Sequence, residues 1–139
     1  TFSGANNTGS LVIHPGVLEV VINRPRNGGN VLINASAISQ ILILNVYSAS
    51  AHKVEIMNGN VNLAGGVNMG PGPIEMTTPN RVVASDLENF GVVSFIGTPH
   101  LFLLSATNRA GGQITFTDAA GSVYLCSNYG TMTATNSQS

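Results

Sequence analysis

Side chains that could do acid–base or metal chemistry are few and scattered along the sequence. They are six acids and three histidines: Glu19, Glu55, Glu75, Asp86, Glu88 and Asp118, with His14, His52 and His100. A glycosidase needs a facing pair of carboxylates, and a zinc site needs ligands at short, characteristic spacings. The histidine spacings match no zinc motif, and turn or surface roles explain the acids. We therefore expect no catalytic site, no metal site and no cofactor.

Two chemical alternatives remain open. Asp86 and Glu88 could contribute oxygens to a calcium ion, which takes roughly six to eight of them. A small β-barrel enzyme would need at least two of the acids or histidines to converge in space. The sequence contains neither a G-x-S-x-G nucleophile motif nor a Walker phosphate loop. Its single cysteine, Cys126, excludes an intrachain disulfide framework.

The small number of charged residues limits the kinds of partner that this chain can bind. Charged residues make up 8% of the 139 residues, against about 25% in a typical soluble domain. The net charge is −1 and 43% of the residues are hydrophobic, which predicts a folded chain. The five basic residues do not form a patch, so we expect no direct contact with nucleic acid. No apolar stretch reaches the ~18 residues of a membrane helix, so we expect no membrane partner.

The segment KVEIMNGNVNLAGG, residues 53–66, predicts a β-hairpin. Asn58-Gly59 is the favoured dipeptide of a type I′ turn, because both residues must adopt positive φ. This turn would place Met57 opposite Asn60 and Ile56 opposite Val61, so that apolar residues meet across the ladder. Similar turn signals occur around residues 27–28 and 118–121.

Turn signals at regular spacing, with no internal repeat of fixed period, predict an all-β fold. We expect an antiparallel β-sandwich or jelly roll of about eight to ten short strands. The expected boundaries are a flexible arm at 1–10, a single β domain at 11–130 and a polar tail at 131–139. A helix beginning at Asn34 is the alternative for the apolar segment that follows it.

Two segments, AISQILILNVYSAS and GVVSFIGTPHLFLLSAT, would be apolar on both strand faces. The interior of a sandwich covers only one face of each sheet. An apolar second face therefore predicts burial against a neighbouring chain. We expect an obligate homo-oligomer, with a trimer as the candidate state. The candidate contacts are Leu42, Leu44, Val46, Val93, Phe95, Phe102 and Leu104.

The glycine- and proline-rich stretch from Gly66 to Pro73 is typical of a loop. We favour a crossover between two sheets, and a ligand or partner loop is the alternative. The candidate binding residues in it are Asn68, Met69, Pro71 and Pro73.

The turn-rich texture of QITFTDAAGSVYLCSNYG, residues 113–130, resembles the virion-surface proteins of tailed phages. These include capsid decoration proteins and fibre or receptor-binding tips. The resemblance implies a small β-sandwich or jelly roll, often trimeric, seated on a larger protein lattice such as a capsid shell. It is one of composition, and no functional residue is carried over from it.

The leading hypothesis is a non-enzymatic structural protein of a particle, most simply a viral capsid or capsid-decoration component. It would act through burial between subunits, with copies of itself and a protein lattice as partners. A virion-surface or extracellular location follows from that hypothesis. The alternative is a lectin-like tip domain that binds a carbohydrate or a receptor.

Overall fold

The structure, a computed structural model, describes residues 1–4, 6–23, 26–49 and 51–138. Within these ranges the chain forms 18 β-strands in two sheets. Every pair of neighbouring strands runs parallel. The predicted antiparallel β-sandwich or jelly roll is therefore wrong. No helix in the described ranges is long and apolar enough to cross a membrane.

The strands divide into a seven-stranded and an eleven-stranded sheet. The seven-stranded sheet contains β3 (Ser10–Ile13), β6 (Asn30–Asn34), β8 (Val54–Met57), β10 (Ile74–Thr77), β12 (Val92–Ile96), β15 (Gln113–Thr117) and β18 (Thr131–Thr135). The eleven-stranded sheet contains β1 (Phe2–Ser3), β2 (Asn6–Asn7), β4 (Glu19–Asn23), β5 (Arg26–Asn27), β7 (Gln40–Ser48), β9 (Asn60–Asn68), β11 (Arg81–Asn89), β13 (Leu101–Leu104), β14 (Thr107–Asn108), β16 (Gly121–Tyr124) and β17 (Ser127–Asn128).

The chain winds as a β-solenoid of about six turns. Each turn adds a strand to the seven-stranded sheet and then one long or two short strands to the eleven-stranded sheet. Equivalent positions in neighbouring strands are 18 to 23 residues apart along the chain. Residues 1–10 hold β1, β2 and the start of β3, and residues 131–135 form β18, so the coil includes both segments expected as an arm and a tail.

Inward-facing side chains of successive turns stack into columns that form one core. Ile56, Met76 and Phe95 are neighbours in register and are fully buried. The next turn adds Phe116, whose ring stacks on Phe95 with 5.6 Å between the ring centroids. The apolar residues at every second position of each strand therefore form the interior of a coil.

Residues in the left-handed region bend the chain at fixed places in each turn. One column lies within the eleven-stranded sheet: Asn45, Gly65, Asp86, Ser105 and Leu125, with φ between 52° and 68°. A second column follows the seven-stranded sheet: Asn58, Thr78, Gly97, Asp118 and Asn136, with φ between 49° and 61°. Side chains with a Cβ rarely adopt this region, so these bends are held by the pairing on either side.

The predicted hairpin at Asn58-Gly59 is wrong, although its turn conformation is as expected. Both residues have positive φ, 61° and 78°. The chain nevertheless passes from β8 in one sheet to β9 in the other. Ile56 pairs with Ile33 and Met76, and not with Val61. The helix alternative after Asn34 is also wrong, because β7 is a strand.

An asparagine ladder runs along one corner of the coil. The amide Nδ2 of Asn68 donates to Oδ1 of Asn89 at 3.0 Å, Asn89 to Asn108 at 2.9 Å, and Asn108 to Asn128 at 2.8 Å. Asn7 donates to the remaining member, Asn27, at 3.0 Å. Most of these amides are fully buried, so each donor and acceptor needs its partner in the adjacent turn.

Four of the ladder amides, those of Asn7, Asn68, Asn89 and Asn108, also donate to backbone carbonyl oxygens at this corner. Asn89 Nδ2 donates to the carbonyl oxygens of Gly91 and Gln113, both at 3.0 Å. A Cβ at Gly91 would collide with the carbonyl oxygen of Gly70 in the preceding turn. Glycine is therefore required two residues after the ladder asparagine at this corner.

Ser48 interrupts the ladder. It is in register between Asn27 and Asn68, and its side chain is too short to reach either amide. Asn27 Nδ2, Ser48 Oγ and Asn68 Oδ1 are all buried without a hydrogen-bond partner among the described residues. Such unpaired groups destabilise a fold, so the ladder is weakest at this turn.

We expect Asn89→Ala to lower the free energy of unfolding by about 3 kcal/mol, because several buried backbone and amide groups lose their partners. Denaturant unfolding followed by circular dichroism measures the change. The matched control is Asn80→Ala, since Asn80 donates to Asn60 at 3.2 Å on the exposed surface. It should cost less than about 0.5 kcal/mol. Equal losses for the two variants would show that the buried ladder has no special role.

We expect Ser48→Asn to raise the free energy of unfolding by about 1 kcal/mol, because the new amide would accept from Asn27 and donate to Asn68. The same unfolding experiment measures it. Ser48→Ala is the control, since it removes the unpaired hydroxyl without completing the ladder. A Ser48→Asn protein no more stable than Ser48→Ala would contradict the assignment.

Candidate functional site

The structure brings two of the acids together on the outside of the seven-stranded sheet. Glu55 and Glu75 are neighbours in register on β8 and β10. The ammonium of Lys53 binds both, with Nζ 2.8 Å from Glu75 Oε1 and 3.3 Å from Glu55 Oε2. The hydrogen bond to Glu75 is the main cause that raises the pKa of Lys53, and burial opposes it. The two carboxylates are therefore joined in one ion-pair network.

The other acids and the histidines lie at separate places. Asp86 is a bend residue, and Glu88 forms a salt bridge with Arg109 at 2.5 Å. His14 follows β3, and His100 precedes β13. Among the described residues, no three His, Cys, Asp or Glu side chains gather in a group that could hold a metal ion.

Apolar side chains cover the outside of the eleven-stranded sheet across several turns. They stand in two neighbouring register columns on β4, β7, β11, β13 and β16. We call this set the outer apolar face, and its members are Val21, Leu42, Leu44, Val83, Phe102, Leu104 and Tyr124. Phe102 is 38% and Tyr124 56% exposed. The only charge in contact with its rings in the described residues is Arg81, whose guanidinium lies 5.7 Å from the Phe102 centroid.

The seven predicted interface residues separate into two groups. Val46, Val93 and Phe95 point inward and belong to the core of this chain. The other four, Leu42, Leu44, Phe102 and Leu104, lie together on the outer apolar face.

Three members of the outer apolar face were missed by the sequence argument. They are Val21, Val83 and Tyr124. Val21 and Val83 lie on strand faces whose other residues are mostly polar, so neither segment is apolar on both faces in the sequence. Tyr124 lies at the end of β16. They could have been found by aligning equivalent positions of successive turns. That alignment requires the length of the repeat.

The predicted ligand loop is shorter than expected. Gly66 belongs to β9, which continues to Asn68, and Asn68 is a buried member of the asparagine ladder. Met69 is 47% exposed, Pro71 is exposed, and Pro73 is half-buried before β10. Met69 and Pro71 are thus the two of the four predicted residues that are well exposed.

Met69 begins a second exposed column. The residue that follows each ladder asparagine points outward, so Met69, Phe90, Arg109 and Tyr129 lie on successive turns. We call these four residues the aromatic corner. Arg109 lies over the Phe90 ring at 5.9 Å from its centroid, and Tyr129 is largely exposed. A row of exposed rings is a surface on which a flat ligand can stack.

The C-terminal end of the coil is open. A cleft of about 310 Å³ enters the core there. Its apolar lining includes Leu101, Phe116, Val123, Met132 and Ala134. At the N-terminal end the corresponding cleft, beside Phe2 and Leu11, is only about 40 Å³. Of these two clefts among the described residues, the one beside β18 is thus the larger.

No protein-family model matches this chain, and neither a curated protein nor a solved structure matches it.

Proposed function

We propose that this chain is a non-enzymatic structural protein that buries its outer apolar face against neighbouring protein chains. The observation that carries the proposal is that face itself, which has seven apolar side chains in two register columns. Three lie on β4 and β7 and four on β11, β13 and β16, with Asn62 and Ala64 of β9 between the two groups. A contiguous apolar patch on a soluble protein marks an interaction surface more often than an accident of sequence.

The composition of the face supports burial against protein. Its two columns also contain four polar positions, and all four are uncharged: Asn23, Asn62, Ser85 and Ser122. Interface cores are depleted of charge and enriched in aromatic and aliphatic side chains. Phe102 and Tyr124, the most exposed rings of the face, are the residue types that anchor interfaces.

The rigidity of the coil also suits a structural role. The strands pair along their length, and the asparagine ladder ties successive turns together. A particle setting, as a viral capsid or decoration component, rests on the compositional resemblance to virion-surface proteins. In that setting the partners would be copies of this chain and a protein lattice.

We expect Phe102→Lys combined with Leu44→Lys to weaken lateral association by about 100-fold or more, because each lysine would be buried without a partner. Light scattering behind a sizing column, across a dilution series, measures the native mass. The control is Thr115→Lys, on the outside of the seven-stranded sheet. A wild-type mass of one chain at every concentration, or equal loss in the control, would refute lateral burial of this face.

The second candidate function is glycan or receptor binding, and the aromatic corner favours it. Phe90 and Tyr129 are exposed rings on one edge, with Arg109 placed between their turns. Sugars stack on such rings and hydrogen-bond to neighbouring polar groups. Met69, which the sequence argument named as a loop contact, extends the same row.

We expect the affinity for a bound glycan, measured on a glycan array, to fall by about 5-fold for Tyr129→Ala, because the ring contributes stacking of ~1 kcal/mol. Tyr124→Ala is the matched control, since Tyr124 is also an exposed tyrosine and lies on the outer apolar face. Absence of any glycan signal, or equal loss in both variants, would reject the aromatic corner as a sugar site.

A further inference from the structure

A row of polar residues borders the outer apolar face where its strands begin. Glu19, Gln40, Asn60 and Arg81 are the first residues of β4, β7, β9 and β11, and they are neighbours in register. All four point outward, because the residue that follows each of them is buried in the core. The two charged members, Glu19 and Arg81, are exposed and lie three strand spacings apart, roughly 14 Å.

Neither of these two charges has an oppositely charged partner among the described residues. The salt bridges in that part of the chain are those of Lys53 and Arg109. Arg81 instead lies over the ring of Phe102, which holds the guanidinium at the border of the outer apolar face. A protein that covers this face would remove water from both charges, so a favourable contact requires opposite charges on the partner.

A second copy of the chain can supply both opposite charges through one symmetry axis. Consider two copies stacked face to face, with a two-fold axis that runs between them parallel to the strands. An axis that passes between β7 and β9 places β4 of one copy over β11 of the other. Glu19 of each copy then faces Arg81 of the other, so the ion pair forms twice. Stacked sheets lie about 10 Å apart, a gap that a glutamate and an arginine side chain span together.

The direction of the axis follows from the charges. A two-fold axis that runs across the strands would keep β4 over β4 and β11 over β11. Glu19 of one copy could then not meet Arg81 of the other, and both charges would be left without a partner. Only the axis parallel to the strands pairs them.

The same axis also matches the polarity of most residues on the face. Of the four pairs that it forms between the two columns on β4, β7, β9 and β11, three join residues of the same polarity. These pairs, with one residue from each copy, are Val21–Val83, Leu44–Ala64 and Asn23–Ser85. The exception is Leu42, which meets Asn62. Leu44 against Ala64 combines a large with a small side chain, which favours close packing.

We propose that a second copy of this chain binds the outer apolar face about this two-fold axis, with Glu19 of each copy paired to Arg81 of the other. The inference rests on the proposed function, because it names the partner of the same face. The contact uses the same surface on both copies, so it closes as a dimer. Apolar burial supplies most of the affinity, and the two border ion pairs determine which strands face each other.

Charge reversal tests the pairing. Glu19→Arg sets two arginines against each other at both ion pairs of the dimer, and Arg81→Glu sets two glutamates against each other. Each variant alone should weaken the dimer by about 10-fold or more, and added salt should reduce that loss. An equimolar mixture of the two variants should associate as the wild type does, because both pairs of the mixed dimer join opposite charges. Light scattering behind a sizing column, across a dilution series, measures the native mass.

Gln113→Arg and Gln113→Glu are the matched controls, because Gln113 is exposed on the outside of the seven-stranded sheet. Neither control should change the association of the chain. Circular dichroism reports whether each variant is folded. Glu19→Lys and Arg81→Asp replace a reversed variant that fails to fold.

A wild-type mass of two chains, lost in each reversed variant and restored in the mixture, supports the proposal. Reversed variants that associate as tightly as the wild type, a mixture that associates no better than its components, or a stable wild-type mass of three chains overturns it. The proposed function survives any of these results if Phe102→Lys combined with Leu44→Lys still weakens association, since the face is then an interface in another arrangement. A wild-type mass of one chain at every concentration overturns both.

Discussion

The buried asparagine ladder is the constraint on which the rest of the coil depends. Each amide is satisfied only when the next turn brings another asparagine to the same place, as Asn89 and Asn108 do. A turn that slipped by one residue would leave amides and glycine carbonyls unpaired in the interior. Only parallel strands repeat the same position in every turn. The ladder therefore determines strand direction, register and the length of the repeat together.

Stacking of equal positions also explains why the chain carries so little charge. Successive strands lie about 4.8 Å apart, so a charge on one turn faces the same position of the next. Like charges in register destabilise a sheet, whereas hydroxyl and amide side chains bond to each other, as Thr115 does to Ser94 at 2.9 Å. Glu55 and Glu75 are such a like-charged pair, and Lys53 bridges them and offsets part of their repulsion. The stacking of equal positions thus explains the low charge within the fold, so the low charge is not an argument for assembly. The proposed assembly rests on the outer apolar face.

The sequence predicts where the strands and bends occur, but not which strands pair. Alternation correctly marks β8 and the start of β9, and Asn58-Gly59 correctly marks a left-handed turn. Inward and outward side chains alternate in the same way in a hairpin and in a coil. The alternation therefore does not show whether neighbouring strands are antiparallel or parallel. The missed signal is an asparagine every 19 to 21 residues, usually followed two residues later by glycine. Ser48 breaks that series, and at Asn108 the equivalent glycine, Gly112, follows four residues later instead of two, so no fixed period is visible.

The ends of a coil follow different energetics from its interior. An interior residue such as Phe95 is buried by the turns on both sides, whereas Met132 and Ala134 have a neighbouring turn on one side only. Stability of a solenoid is close to a sum over neighbouring turns, so each end lacks one interface whatever its sequence. Natural edges offset that loss with a cap or prevent its use with charge. In the described turns, Asn89 bonds to an asparagine on each side and Phe95 has a register partner on each side. The stability of the coil therefore rests on interior turns of this kind.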